Sequence, residues 1–133
     1  MVRFTTISYF RERLAGLLKV KKGVYSTVED EIRREFHAKP IEEIRINNDM
    51  VLMEEDMVII KLRLPDKKHR LAKKDGFRLI YLVSKVVPTV AFLDIYPKNG
   101  PLQQLAESDS ELIRLVQLFI YEAEIGELEE YLI

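Results

Sequence analysis

Cysteine is absent from these 133 residues, which removes disulfides, thiolate metal sites and a thiol nucleophile together. Histidine occurs twice, at His37 and His69, and neither has a metal-ligand companion at useful spacing. No glycine-rich phosphate loop, dinucleotide fingerprint or nucleophile-elbow serine is present. Neither a metal nor a cofactor is therefore expected. The longest apolar runs, such as 79–83, are too short to span a bilayer, and the N-terminal stretch "MVRFTTISYFRERL" lacks the apolar block of a signal peptide. The expectation is a cytoplasmic protein with no membrane partner.

What is present fits one α+β domain over residues 1–133. Apolar residues make up 47% and charged residues 32%, enough for a core and a solvated surface. The net charge of −1 conceals an asymmetry. Residues 61–98 hold ten cations against three anions, a net +7, while residues 101–133 hold one cation against eight anions, a net −7. A basic middle suits an anionic partner such as nucleic acid, unless the two segments simply neutralise each other or are solvated.

Periodicity marks the elements. Residues 2–7 suit a first strand, and Ile7, Phe10, Leu14, Leu17 and Leu18 fall on one face of a helix that "KVKKG" closes. Ser26 and Glu29 have capping-box spacing ahead of a second helix carrying Val28, Ile32 and Phe36, ended by Pro40. The signal weakens from 44 to 51. "MVIIKLRL" (57–64) reads as a strand with Ile60, Leu62 and Leu64 on one face and Lys61 and Arg63 on the other. Residues 65–76 read as a mobile, exposed cationic loop that Gly76 turns into the next strand. "FRLIYLV" (77–83) and "VAFLDIY" (90–96) read as an antiparallel hairpin. Ser108 and Glu111 repeat the capping-box spacing before a helix bearing Leu112, Leu115, Val116, Phe119, Ile120 and Ala123, with Gly126 as its stop. The order β-α-α-β-β-β-α gives a small antiparallel sheet packed with two N-terminal helices and one C-terminal helix. The acidic, apolar tail 124–133 is expected to fold over the basic loop or to form a dimer contact.

If neighbouring strands pair as hairpins, Lys61, Arg63, Arg78 and Lys98 meet at one edge of the sheet. Such a cluster suits phosphate and the charge that develops in phosphoryl transfer. RNA brings its own nucleophile, the 2′-hydroxyl, so no metal is needed. The plainer reading pairs these cations with helix carboxylates and gives them no chemistry.

"KLRLPDKKHRLAKKDGFRLIYLV" and "FLDIYPKNGPLQQLAESDSELIRLV" together resemble the RelE/ParE superfamily of toxins from type II toxin–antitoxin systems, closest to its RelE/HigB-type branch. The likeness covers residues 57–120 and is loose before them. It rests on the "KLR" strand, the basic glycine-containing loop, the "GFRLIY" strand, the "IYPK" strand end and the amphipathic helix. The resemblance implies a compact sheet packed on helices. It also implies a ribosome-associated endoribonuclease that cleaves mRNA by 2′-hydroxyl attack, without metal, and is neutralised by a cognate antitoxin. Carried over, Lys61 matches a catalytic strand lysine, Arg78 the phosphate-contacting arginine, Arg63 the arginine of "KLR" and Lys98 the basic residue after the last strand. Tyr96 is the nearest candidate for a general acid. Lys67, Lys68, Arg70, Lys73 and Lys74 fall in the loop and would bind RNA. Ile59 and Asn99 stand where some members carry basic residues. That keeps open a non-nuclease module on the same fold, either a gyrase-directed ParE-like toxin or a degenerate toxin that only binds its antitoxin.

Overall fold

The computed structural model describes residues 2–46, 50–53, 56–104 and 108–133. Its elements are β1 (Arg3–Thr6), α1 (Ser8–Leu18), α2 (Val28–Phe36), α3 (Ile41–Arg45), β2 (Met50–Met53), β3 (Met57–Leu64), β4 (Phe77–Ser84), β5 (Thr89–Pro97), α4 (Asp109–Glu124) and β6 (Glu129–Glu130). The apolar runs build the centre of the sheet. Every residue from Phe77 to Val83 is buried, as a strand covered on both faces requires. In β3, Ile60, Leu62 and Leu64 are buried, Lys61 is half-buried and Arg63 is exposed, the alternation that a period of two imposes.

The sheet runs β2-β3-β4-β5-β1-β6 and is mixed, which corrects the antiparallel expectation. β3, β4 and β5 form antiparallel hairpins, but β1 lies parallel to β5, with Thr5 opposite Ala91. β4 occupies one edge of β5 and leaves the other edge open to the N-terminal strand. A pairing across more than eighty residues leaves no local mark in the sequence. The chain then leaves the sheet: the Ile7 N–H donates to the Phe92 carbonyl at 3.3 Å, and α1 continues against β5. Phe10, Leu14 and Leu17 are buried there, while Leu18 is 41% exposed and drops out of the expected face. Arg13 Nε reaches the buried Asp94 at 2.9 Å, tying helix to strand.

Phe36 of α2 meets Phe4 and Tyr81 edge-on, so α2 covers that face of the sheet. The expected Ser26 cap does not form. α2 begins at Val28, and the Ser26 hydroxyl is taken instead by Lys68 Nζ at 3.0 Å. Glu29, Asp30 and Glu31 in its first turn still suit the positive end of the helix dipole. The short α3, unmarked by periodicity, presents the Ile44 carbonyl to the Tyr81 hydroxyl at 2.9 Å. In α4 the Ser108 hydroxyl does accept the Glu111 N–H, at 3.3 Å. The helix ends as expected near Gly126, where the Glu127 N–H reaches the Glu122 carbonyl and the Gly126 N–H reaches that of Ala123. Its buried face is narrower than the periodicity implies: Leu112 and Leu115 are buried, but Ile120 and Ala123 are exposed. Among the described residues no helix is long and apolar enough to cross a membrane.

The tail does not cover the basic loop. It pairs as β6 with β1, and the Tyr131 N–H donates to the Phe4 carbonyl at 3.0 Å. The Tyr131 ring stands edge-on to Phe10 and Phe92, and its hydroxyl donates to Glu29 at 2.9 Å. Burial first, then the bond to Glu29 and its charge, push the Tyr131 phenol above its ordinary range, with Arg33 opposing. A tyrosine whose folded-state pKa lies above its unfolded value stabilises the fold below the unfolded pKa of about 10, and that contribution is lost as pH rises past it. The stability advantage of the wild type over Tyr131→Phe should therefore shrink from about pH 9 to about pH 11. Denaturant titrations of both proteins test this; a difference that stays constant with pH would show that the phenol is not coupled to folding.

Candidate nucleic-acid interface

Strand register builds the cationic row. Arg63 lies opposite Arg78, and Arg78 lies opposite Tyr96, so the three share one face across β3, β4 and β5. Lys61, two residues before Arg63, shares that face and lies opposite Ile80, which in turn opposes Asp94. Lys98 follows the end of β5, where its N–H donates to the Gly76 carbonyl at 2.9 Å. Cations from three segments of the chain thus gather toward one end of the sheet. Arg63 is exposed and Lys61 and Lys98 are half-buried, all on the surface of the fold.

Arg78 and Tyr96 are placed differently. Arg78 is only 7% exposed. Its Nη1 donates to the carbonyls of Lys73 at 3.0 Å and Phe77 at 3.1 Å, and its Nη2 donates to that of Lys74 at 2.7 Å. Charged donors on main-chain oxygens make strong bonds, so the guanidinium holds the loop from inside. Tyr96 is buried within the core.

The loop from 65 to 76 is folded, against the expectation of a mobile segment. Two short 3₁₀ turns, Lys67–His69 and Lys73–Asp75, shape it. Asp66 and Leu71 exchange main-chain bonds of 3.0 and 2.9 Å. The buried Glu31 carboxylate accepts the Lys67 N–H at 2.7 Å and also binds Arg34. Lys68 Nζ binds the Gly23 carbonyl and Ser26, and Asn99 Nδ2 donates to the Asp75 carbonyl at 2.6 Å. Gly76 is required by close approach and not by an unusual φ: an added Cβ would collide with the Leu64 carbonyl oxygen and sit 2.8 Å from the Pro65 carbonyl carbon. With main-chain groups turned inward, the side chains of Lys67, Lys68, Arg70, Lys73 and Lys74 are exposed.

The sequence reading missed the pair at the base of this loop. The His69 Nδ1 lies 2.7 Å from Asp66 Oδ2, and Asp66 Oδ1 accepts the His69 N–H at 3.3 Å. Asp66 is 4% exposed. The signal was available as spacing, because side chains at i and i+3 eclipse in a 3₁₀ turn. Asp66 and His69 line a cavity of about 230 Å³ with Val24, Tyr25, Asn99 and Gly100. Among the described residues no group of three or more histidine, aspartate or glutamate side chains is arranged to hold a metal ion. No protein-family model, curated protein or solved structure matches the chain.

Removing the internal clamp should loosen the loop selectively. Arg78→Ala leaves the carbonyls of Lys73, Lys74 and Phe77 without these charged donors and should cost about 3 kcal/mol, and Asn99→Ala about 1 kcal/mol. Hydrogen exchange should rise at the 66–75 amides in both variants and stay unchanged in α4. Uniformly faster exchange would show instead that Arg78 supports the whole sheet.

Proposed function

We propose that this chain is a RelE/HigB-type toxin of a type II toxin–antitoxin system: a metal-independent endoribonuclease that cuts mRNA at the ribosome, in the cytoplasm. The observation that carries the reading is the register of β3, β4 and β5. It gathers Lys61, Arg63, Arg78 and Tyr96, the positions that resemble the family's motif, on one face beside the exposed cations of the 65–76 loop. Lys61, Arg63 and Lys98 would neutralise the scissile phosphodiester and the charge that grows on it as the 2′-hydroxyl attacks. Arg78 acts as a positioning residue in this reading, since its donors hold the loop that displays Lys73 and Lys74. A cognate antitoxin would cover this basic end by adding a helix or strand to the sheet.

One observation favours a second reading. Arg78 and Tyr96 are both buried, which suits a RelE/ParE-fold binding module that has no nuclease activity, either a gyrase-directed toxin or one that only binds its antitoxin.

Induced expression without antitoxin, with primer extension on a reporter mRNA, separates the two. The nuclease reading expects growth arrest with in-frame cleavage, reduced about a hundredfold by Lys61→Ala with Arg63→Ala. Neither side chain is buried, so the variant should fold. Arrest without cleavage points to the gyrase-type module. Soluble protein with neither arrest nor cleavage points to an antitoxin-binding remnant.

A further inference from the structure

β1 pairs with β5 only as far as Phe92, so the end of β5 has an open edge. There α1, residues 95–97 and residues 101–103 enclose a cavity of about 430 Å³, within the range of small-molecule sites. The cavity adjoins the strand cations. Tyr96 lines it and ends the row that runs through Arg78 to Arg63. Asp94, two residues earlier, ends the row through Ile80 to Lys61 and binds Arg13, which also lines the cavity. Lys98 directly follows the lining residue Pro97.

Bonds within the fold set its walls. The Gln104 N–H donates to the Pro97 carbonyl, the Gln103 N–H to the Gly100 carbonyl and the Leu102 N–H to the Tyr25 hydroxyl, each at 3.1 Å. Leu17, Pro97, Pro101 and Leu102 give apolar sides, while Glu12, Arg13 and Gln103 give polar ones. Arg13 is held in place. The buried Asp94 accepts from its Nε at 2.9 Å, Gln104 accepts from its Nη2, and the Tyr9 ring centroid lies 5.6 Å from its guanidinium carbon. Among the described residues nothing accepts from Nη1, which leaves it for a ligand. Gly16 of α1 also lines the cavity, and an added Cβ there would meet nothing within 4 Å. Glycine weakens a helix interior, and no close packing requires it here; its effect is to keep the cavity deep.

Charge decides what fits. Arg13 and Asp94 neutralise each other and Glu12 adds an anion, so the cavity disfavours phosphate. It suits a neutral, flat ring that carries both acceptors and donors. We propose that it takes a guanine base of single-stranded RNA, while the flanking phosphates lie on Lys98 and the strand cations. Guanine offers O6 and N7 as acceptors on one edge and N–H donors on another, and single-stranded RNA is read by splayed bases bonded at such edges. Arg13 donates to the O6/N7 edge, and Glu12, its neighbour on α1, accepts from the donor edge. The apolar sides meet the ring faces. Adenine presents an N6 donor where guanine has O6, and so opposes the donors of Arg13. The inference rests on the nuclease reading above and gives that site a base preference.

The test titrates the full, isotope-labelled chain with three hexamers whose 2′-fluoro sugars prevent 2′-hydroxyl attack: all uridine, or uridine with one central guanosine or adenosine. The guanosine hexamer should bind about tenfold tighter than the other two and shift the Gly16 amide signal. Removing Arg13 would strand the buried Asp94, so the ligand is altered instead. A 7-deazaguanosine hexamer, which lacks the N7 acceptor, should lose about fivefold. Glu12→Ala and Gly16→Leu should each bring the guanosine hexamer down to the uridine level and leave uridine binding unchanged. Glu12 is exposed and Gly16 faces open space, so both variants should fold. Equal affinity for the three hexamers, or a guanosine preference that survives Gly16→Leu, overturns the base pocket and leaves the nuclease reading standing. No binding of any hexamer overturns the pocket, and primer extension alone then decides the nuclease reading. Guanosine-selective binding by a wild type that leaves all-ribo hexamers and reporter mRNA uncut upholds the pocket and overturns the nuclease reading.

Discussion

Arg78 grips the carbonyl oxygens of Lys73 and Lys74 from inside the fold, and the direction of the whole basic loop follows from that grip. The side chains of Lys73 and Lys74 are exposed. Glu31 and Asp66 hold the loop's other end, each taking a main-chain N–H on a buried carboxylate. The cost of burying these charges is met by hydrogen bonds to the backbone, the condition under which buried ionic groups are tolerated. The result is a hydrogen-bonded support for five exposed cations. A mobile tether would lose conformational entropy on binding an anion, and a preformed loop avoids most of that loss.

The charge asymmetry can be weighed against this arrangement. Among the described residues, no ion pair joins the basic segment 61–98 to the acidic segment 101–133. The acidic tail pairs instead with the N-terminal cations, Glu130 with Arg3 and Glu129 with Arg11. Asp94, a rare anion of the basic segment, is claimed by Arg13 of α1.

Much of the sheet was legible in the sequence, because hydrophobic period and strand geometry share a cause. The alternation of Ile60, Leu62 and Leu64 with Lys61 and Arg63 fixed one strand and its faces. The meeting of Arg63 with Arg78 followed once hairpin pairing was assumed. What stayed hidden depends on partners distant in the chain. The Ser26 cap did not form: α2 starts at Val28, and the Ser26 hydroxyl meets Lys68, forty-two residues on. The parallel partner of β5, and the return of the tail to β1, follow from open sheet edges and not from any local pattern. Burial of Arg78 was invisible for the same reason: an arginine in a strand looks alike whether it faces a phosphate or three carbonyls.

The two groups of candidate residues lie on different sides of one support, and this bears on how a site here would work. Arg63 and Lys61 share the face of β3 opposite Leu62 and Leu64. Tyr25, on the His69 side, meets Phe77 edge-on, and Phe77 is the cross-strand partner of Leu64. The loop passes between these faces, fastened to both by Arg78 and by Asn99. A small ligand would meet one face or the other. A polymer with a phosphate every few ångströms can lie across the loop and touch both, and its affinity would then fall steeply with salt as each contact releases counterions.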